Sequence, residues 1–101
     1  MRLRARTDSN HQEIVQALRR VGCSVCDISR MGKGIPDLIV GRQETGRNYL
    51  LEIKDGENSQ SRQKLTPDER KWHDLWRGQV SVVSSVKEAY EAVGIKIEGW
   101  V

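Results

Sequence analysis

The chain has 101 residues, 37% of them apolar and 31% charged, with a formal net charge of +3 and a pI of about 9.1. That size holds one domain, residues 1–101, with one modest core, and the well-formed apolar runs set it apart from a disordered chain. No apolar run approaches the ~20 residues of a membrane helix, and Met1-Arg2-Leu3-Arg4-Ala5-Arg6 lacks the apolar centre of a signal peptide. A cytoplasmic protein without membrane association is therefore the expectation.

Residues 1–8 read as a basic arm. Ser9 or Asn10 then caps a helix running to about Arg20, with Ile14, Leu18 and Val21 as its apolar stripe and Gly22 as its stop. Cys23 to Ser29 reads as a strand. Its Cys-x-x-Cys lacks the second ligand pair of a structural zinc site and the helix N-terminus of a redox motif, so Cys23 and Cys26 read as reduced, largely buried residues. Met31-Gly32-Lys33-Gly34 is a loop. Asp37 to Gly41, with Pro36 at its start, where a missing N–H does least harm, and Asn48 to Lys54 are two further strands joined as a hairpin. Asp55 to Lys64 is a polar loop. Thr66-Pro67-Asp68-Glu69 opens a helix with a capping box, and Trp72, Leu75 and Trp76 share one face of it, a spacing that predicts core packing. Gln79 to Val83 is a short strand. Ser85-Val86-Lys87-Glu88 is a second capping box, whose helix carries Val86, Ala89, Tyr90 and Val93 and stops at Gly94. The tail from Ile95 to Val101 is partly apolar and suits an edge strand or a dimer contact. The order αβββαβα predicts an α/β fold, a central mixed sheet flanked by helices.

Three ionisable side chains interrupt the apolar runs. Asp37 opens the second strand, and Glu52 and Lys54 close the third. Such groups are costly inside apolar runs unless paired, solvated or bound to a metal. Glu52 and Lys54, two apart on a strand, share a face. Asp37 and Glu52 can meet across the hairpin and share one hard divalent cation, with the Ile53 backbone carbonyl as a further ligand. Phosphodiester hydrolysis needs an in-line hydroxide, charge neutralisation and a protonated leaving group; a divalent metal supplies the first two. The Lys54 ammonium can hold the attacking water and stabilise developing charge.

Pro36-Asp37 followed fifteen residues on by Glu52-Ile53-Lys54 resembles the PD-(D/E)XK nuclease superfamily, whose fold is restriction-endonuclease-like. Met31 to Leu38, Leu50 to Lys54, and Leu65-Thr66-Pro67-Asp68-Glu69 with Trp72-His73 resemble its virus-type replication-repair nuclease (VRR-NUC) branch, in a minimal standalone form as found in phages and bacteria. The resemblance implies Asp37 and Glu52 as metal ligands and Lys54 as the water-orienting catalytic residue. It implies Glu13, the acidic residue of the first helix, beside the metal. Many members carry a glutamine at the start of the helix after Glu-x-Lys; here Asp68-Glu69 stands there, which leaves Gln63 or Glu69 as the accessory group.

The implied function is Mg²⁺-dependent (Mn²⁺ substituting), structure-selective DNA cleavage, by a homodimeric Holliday-junction resolvase in a bacterial or phage-infected cell. A flap, nick or general DNA endonuclease and an inactive DNA-binding module are the alternatives. Arg19, Arg20, Arg30 and Lys33 are the expected phosphate contacts. His11 and His73 read as structural.

Overall fold

The computed structural model describes residues 10–55 and 65–97. The basic arm, Ser9, Gln63 with most of the polar loop, and the last four residues of the tail lie outside them. Helix α1 (His11–Arg20) leads into β1 (Ser24–Asp27), β2 (Leu38–Arg42) and β3 (Arg47–Ile53). Helix α2 (Pro67–Leu75), β4 (Ser81–Val83) and α3 (Val86–Ala92) complete the chain order expected from the sequence. The four strands form one mixed sheet in the order β1-β2-β3-β4. The first three run antiparallel, and β4 lies parallel to β3, a pairing that needs the crossover through α2.

The core lies on one face of the sheet. Leu38 and Val40 of β2, Leu51 and Ile53 of β3, and Val83 of β4 meet Ile14, Val15 and Leu18 of α1 and Ala89, Tyr90 and Val93 of α3. The buried side of α1 is His11, Ile14, Val15 and Leu18, an i, i+3, i+4, i+7 stripe. Gly22 ends α1 at φ +96°, a left-handed value, and Cys23 N–H returns to the Leu18 carbonyl at 3.0 Å. Among the described residues no helix is long and apolar enough to cross a membrane.

Four local expectations change. Asn10 stands at the N-cap but makes no capping bond; its amide donates to the Lys54 and Ser84 carbonyls at 3.2 and 2.7 Å, tying α1 to the ends of β3 and β4. Ser85 accepts from Glu88 N–H, but the Glu88 carboxylate turns to Ser84 N–H and Oγ, so the second capping box is half a box. Cys23 is buried, whereas Cys26 is exposed because β1 is an edge strand with little cover. Finally, α2 buries none of its residues: Leu75 is 68% and Trp76 44% exposed. The apolar spacing of Trp72, Leu75 and Trp76 is real, but α1 and α3 occupy the core face, so it does not enter the core.

Candidate active site

The sheet register carries Asp37 to Glu52. Leu38 pairs with Leu51, so the next position in an antiparallel ladder sets Asp37 beside Glu52. Both side chains leave the face opposite the core. Asp37 is fixed by its own backbone, with its N–H on the Leu51 carbonyl at 3.0 Å and its carbonyl accepting from Ile28 N–H at 2.8 Å. Its Oδ2 accepts the Ile53 N–H at 2.7 Å. Ile53 thus acts on the site through its N–H.

Glu52 is 2% exposed, and its Oε1 has no hydrogen-bond partner among the described residues. Lys54 Nζ lies 3.9 Å from Glu52 Oε2 and 2.8 Å from Glu69 Oε1. Glu69 reaches Lys54 because the sequence builds α2 that way. Thr66 Oγ1 accepts the Glu69 N–H at 3.2 Å, and Glu69 Oε1 accepts the Thr66 N–H at 2.9 Å, a complete capping box with Pro67 in the first turn. One carboxylate oxygen therefore closes the cap and holds the lysine.

The electrostatics follow from burial and like charge. Burial, then the neighbouring charges of Asp37 and Glu69, push Glu52 up to about 10. Burial also raises Asp37, against the Ile53 N–H, which favours its charged form. Burial opposes the charge on Glu69 too, but the bonds from Lys54 and Thr66 outweigh it and hold that carboxyl below its ordinary range. The site therefore holds two carboxylates that resist joint ionisation beside an ammonium already engaged by a third.

Two carboxylates with an orphaned, buried oxygen fit a hard cation that keeps several of its waters. The donor set is small, and among the described residues no group of three or more His, Cys, Asp and Glu side chains is disposed around a common ion position.

The first helix turns His11, and not Glu13, toward the sheet. Glu13 is exposed, facing a depression lined also by Gln16, Arg20 and Tyr90, because the 11-14-15-18 stripe turns it away from the sheet. His11 is 4% exposed, and its Nε2 lies 2.9 Å from Asp27 Oδ2. Asp27 also accepts Ser29 N–H and Oγ at 3.0 and 2.6 Å. Burial works against its charge, but the Ser29 and His11 bonds prevail and lower its pKa. Asp27 pairs with Leu38, so the dyad sits on the side of the sheet that α1 covers, opposite the face that Asp37 and Glu52 leave. The sequence signal for it was only a histidine in register with the core stripe of α1. His73, one turn after Glu69 on α2, has a buried Nε2 without a hydrogen-bond partner among the described residues and a pKa lowered by burial.

The basic residues divide. Arg19 bonds the Val25 carbonyl at 3.0 Å, and Arg20 faces the depression beside Glu13, both at the C-terminal end of α1. They stand ~13 Å along the helix axis from His11. Arg30 and Lys33 are exposed on the loop that leads into Asp37. Lys33 has φ +60° between Gly32 and Gly34, which are also left-handed, a conformation that costs a lysine roughly 1–2 kcal/mol. Gly34 is obligatory for space as well: a Cβ there would lie 2.2 Å from the Asp68 carbonyl oxygen. The loop is thus clamped on the first turn of α2.

No protein-family model matches the sequence, and no curated protein matches it. A search of solved structures finds one described as "VRR_NUC domain", with a TM-score of 0.60 and 23% identity, covering 82% of this chain and 88% of that one. The chain has the fold of that VRR_NUC domain. The mixed four-stranded sheet with its flanking helices is consistent with a PD-(D/E)XK-like architecture.

Proposed function

We propose that the chain is a Mg²⁺-dependent, structure-selective DNA endonuclease. The observation that carries this reading is Asp37 set beside Glu52 by the β2–β3 register, with Lys54 Nζ 3.9 Å from Glu52 Oε2 and Glu52 Oε1 buried without a hydrogen-bond partner among the described residues. The VRR_NUC fold supports it. Asp37 and Glu52 would hold the ion, with the Ile53 carbonyl as a further ligand and Mn²⁺ as a substitute. When bound, the ion neutralises charge on the scissile phosphate and activates the nucleophilic water. The Ile53 N–H keeps Asp37 in one orientation, and Asn10 ties the Lys54 backbone to α1. Lys54 positions the attacking water and stabilises the developing negative charge, with Glu69 limiting where its ammonium can stand.

The described residues hold one such constellation, so each chain cuts one strand. Paired cuts across a four-way junction call for two chains related by a two-fold axis, so the finer reading is a homodimeric Holliday-junction resolvase in the cytoplasm of a bacterial or phage-infected cell. Flap or nick cleavage is the second reading, favoured by the half-buried Trp72 of α2 and the exposed Trp76 at its C-cap, which stack on each other. The test is cleavage of junction, flap and duplex DNA with Mg²⁺, comparing wild type with Asp37→Asn. Loss of cleavage with DNA binding kept supports the reading; unchanged cleavage ends it. Symmetric paired nicks on the junction favour the resolvase, and cuts confined to flapped DNA favour the second reading.

A further inference from the structure

The face of α2 that the core leaves uncovered lies beside the candidate site. Glu69 on this helix holds Lys54, and Trp72 follows ~4.5 Å further along the axis. Trp72 and Trp76 stack, with ring centroids 4.6 Å apart and planes 17° from parallel. Trp76 is anchored by its Nε1–H on the Gln79 carbonyl at 3.2 Å, and the Gln79 side chain in turn bonds both Leu50 N–H and Leu50 carbonyl on β3. The aromatic pair is therefore fixed to the sheet although α2 buries nothing. In front of Trp72 lies a groove of about 300 Å³ lined by Lys33, Asp68, Lys71, Trp72 and Leu75. Its floor is apolar, and two ammonium groups flank it against one carboxylate. Lys33 reaches it from the left-handed loop clamped on Asp68, four residues before Asp37. Four residues of chain span at most ~14 Å. At ~3.4 Å per nucleotide of one strand, the groove is within about four nucleotides of the Asp37–Glu52 pair.

We propose that this groove is a nucleotide shelf: an unpaired base near the scissile phosphate lies on Trp72 and Leu75, and Lys33 and Lys71 take the adjoining phosphates. An aromatic floor between cations is the chemistry of single-stranded nucleic-acid binding, where each base offers a π-face whatever its identity. The mixed pair of lysines and an apolar floor suit a polyanion with flat apolar bases better than a second copy of this basic chain. The shelf rests on the nuclease reading and narrows its substrate class to branched or tailed DNA with unpaired bases next to the cut.

The experiment measures binding of the full chain, with divalent metal chelated, to a blunt duplex and to the same duplex ending in a short oligothymidine tail. Wild type should prefer the tailed DNA by about tenfold, a stacking contribution of ~1.4 kcal/mol, with tryptophan fluorescence quenched by the tailed form. Trp72→Leu and Leu75→Ser should each shrink the preference severalfold while blunt-duplex binding is kept. Leu75, 68% exposed, can be changed without touching the core, so the test survives if the tryptophan variant folds poorly. An unchanged preference in Leu75→Ser overturns the shelf. So does conversion of a dimer to a monomer by these variants with the preference intact, which would make the α2 face an interface between copies. If wild type cuts DNA in Mg²⁺ but shows no preference, the shelf alone fails; if it neither binds nor cuts any DNA, the nuclease reading fails with it.

Discussion

Glu52→Gln separates two consequences of the buried carboxylate, its cost to the metal-free fold and its proposed hold on the ion. Glu52 has an ordinary pKa of 4.5 and is pushed up to about 10 in the folded chain, chiefly by burial and then by Asp37. Between those values the native state holds a proton that the unfolded chain releases. Stability therefore falls as pH rises from 4.5, at about 1.4 kcal/mol per unit. From pH 4.5 to pH 7 the loss from this group is about 3 kcal/mol. The Gln variant keeps the volume and lacks the titration, so its stability relative to wild type should grow by about that amount over the same interval. At the scale of a domain this size the gain shows as a rise in Tm on the order of 10 °C at neutral pH. Urea or thermal melts with metal chelated, run at several pH values, read the difference. Adding Mg²⁺ should then stabilise wild type, by ~3 kcal/mol at a hundred times Kd, and leave the variant unmoved and inactive in cleavage. A stability difference that does not change with pH, or an equal response of both proteins to Mg²⁺, would refute the reasoning.

Further outcomes follow from the same geometry. Lys54→Met should lower the cleavage rate by roughly a hundredfold or more while the Mg²⁺-induced Tm shift persists, because the proposed role of the residue is on water and charge rather than on ion binding; loss of that shift would make Lys54 part of the ion site. Gly34→Ala should destabilise the chain by about 1–3 kcal/mol, since the residue sits at φ +81° and its Cβ would meet the Asp68 carbonyl at 2.2 Å, and chemical denaturation measures it. Thr66→Ala removes the acceptor for Glu69 N–H, at a cost of about 1 kcal/mol, and should speed amide exchange in α2 before that of β2 and β3. Amide exchange in α2 should slow when Mg²⁺ is added to wild type and stay unchanged in Glu52→Gln.

The fold was legible where local chemistry and the core agreed. Alternation in Leu38 to Val40, the Gly22 stop and the Thr66-Pro67-x-Glu69 start each encode one answer, and the α/β order follows from them. The carboxylate pair was legible for the same reason: a register fixed by Leu38 and Leu51 carries Asp37 to Glu52 without any distant contact. What failed depended on tertiary placement. Periodicity showed that Trp72, Leu75 and Trp76 share a face, but not that α1 and α3 already fill the core side of the sheet. The first helix has one acidic residue, and family resemblance drew attention to Glu13; the phase of its buried stripe puts His11 toward the sheet instead. Asn10 carried a capping signal, yet its Nδ2 donates to the carbonyls of Lys54 and Ser84, 44 and 74 residues away, and its Oδ1, the atom that would cap, has no partner among the described residues.

The metal response expected of α2 follows from where the cost of the site falls. A chain of 101 residues has on the order of 5–15 kcal/mol of stability, so a 3 kcal/mol charge penalty at Glu52 is a large fraction of it. Global unfolding is not the cheapest relief. Leu51 and Ile53 are locked in the core on one face of β3, while Glu52 points to the other face, where α2 meets the site through Glu69 and its capping box. Since α2 buries no residue, opening it exposes little apolar surface and lets water reach the carboxylates. A cation at Asp37 and Glu52, as proposed, would remove the reason to open. It also favours an ionised Glu52, which leaves Glu69 and Lys54 paired across the same gap. On the proposed reading, metal binding and the order of α2 would be one equilibrium, and the groove on that helix should be best formed with the cation bound.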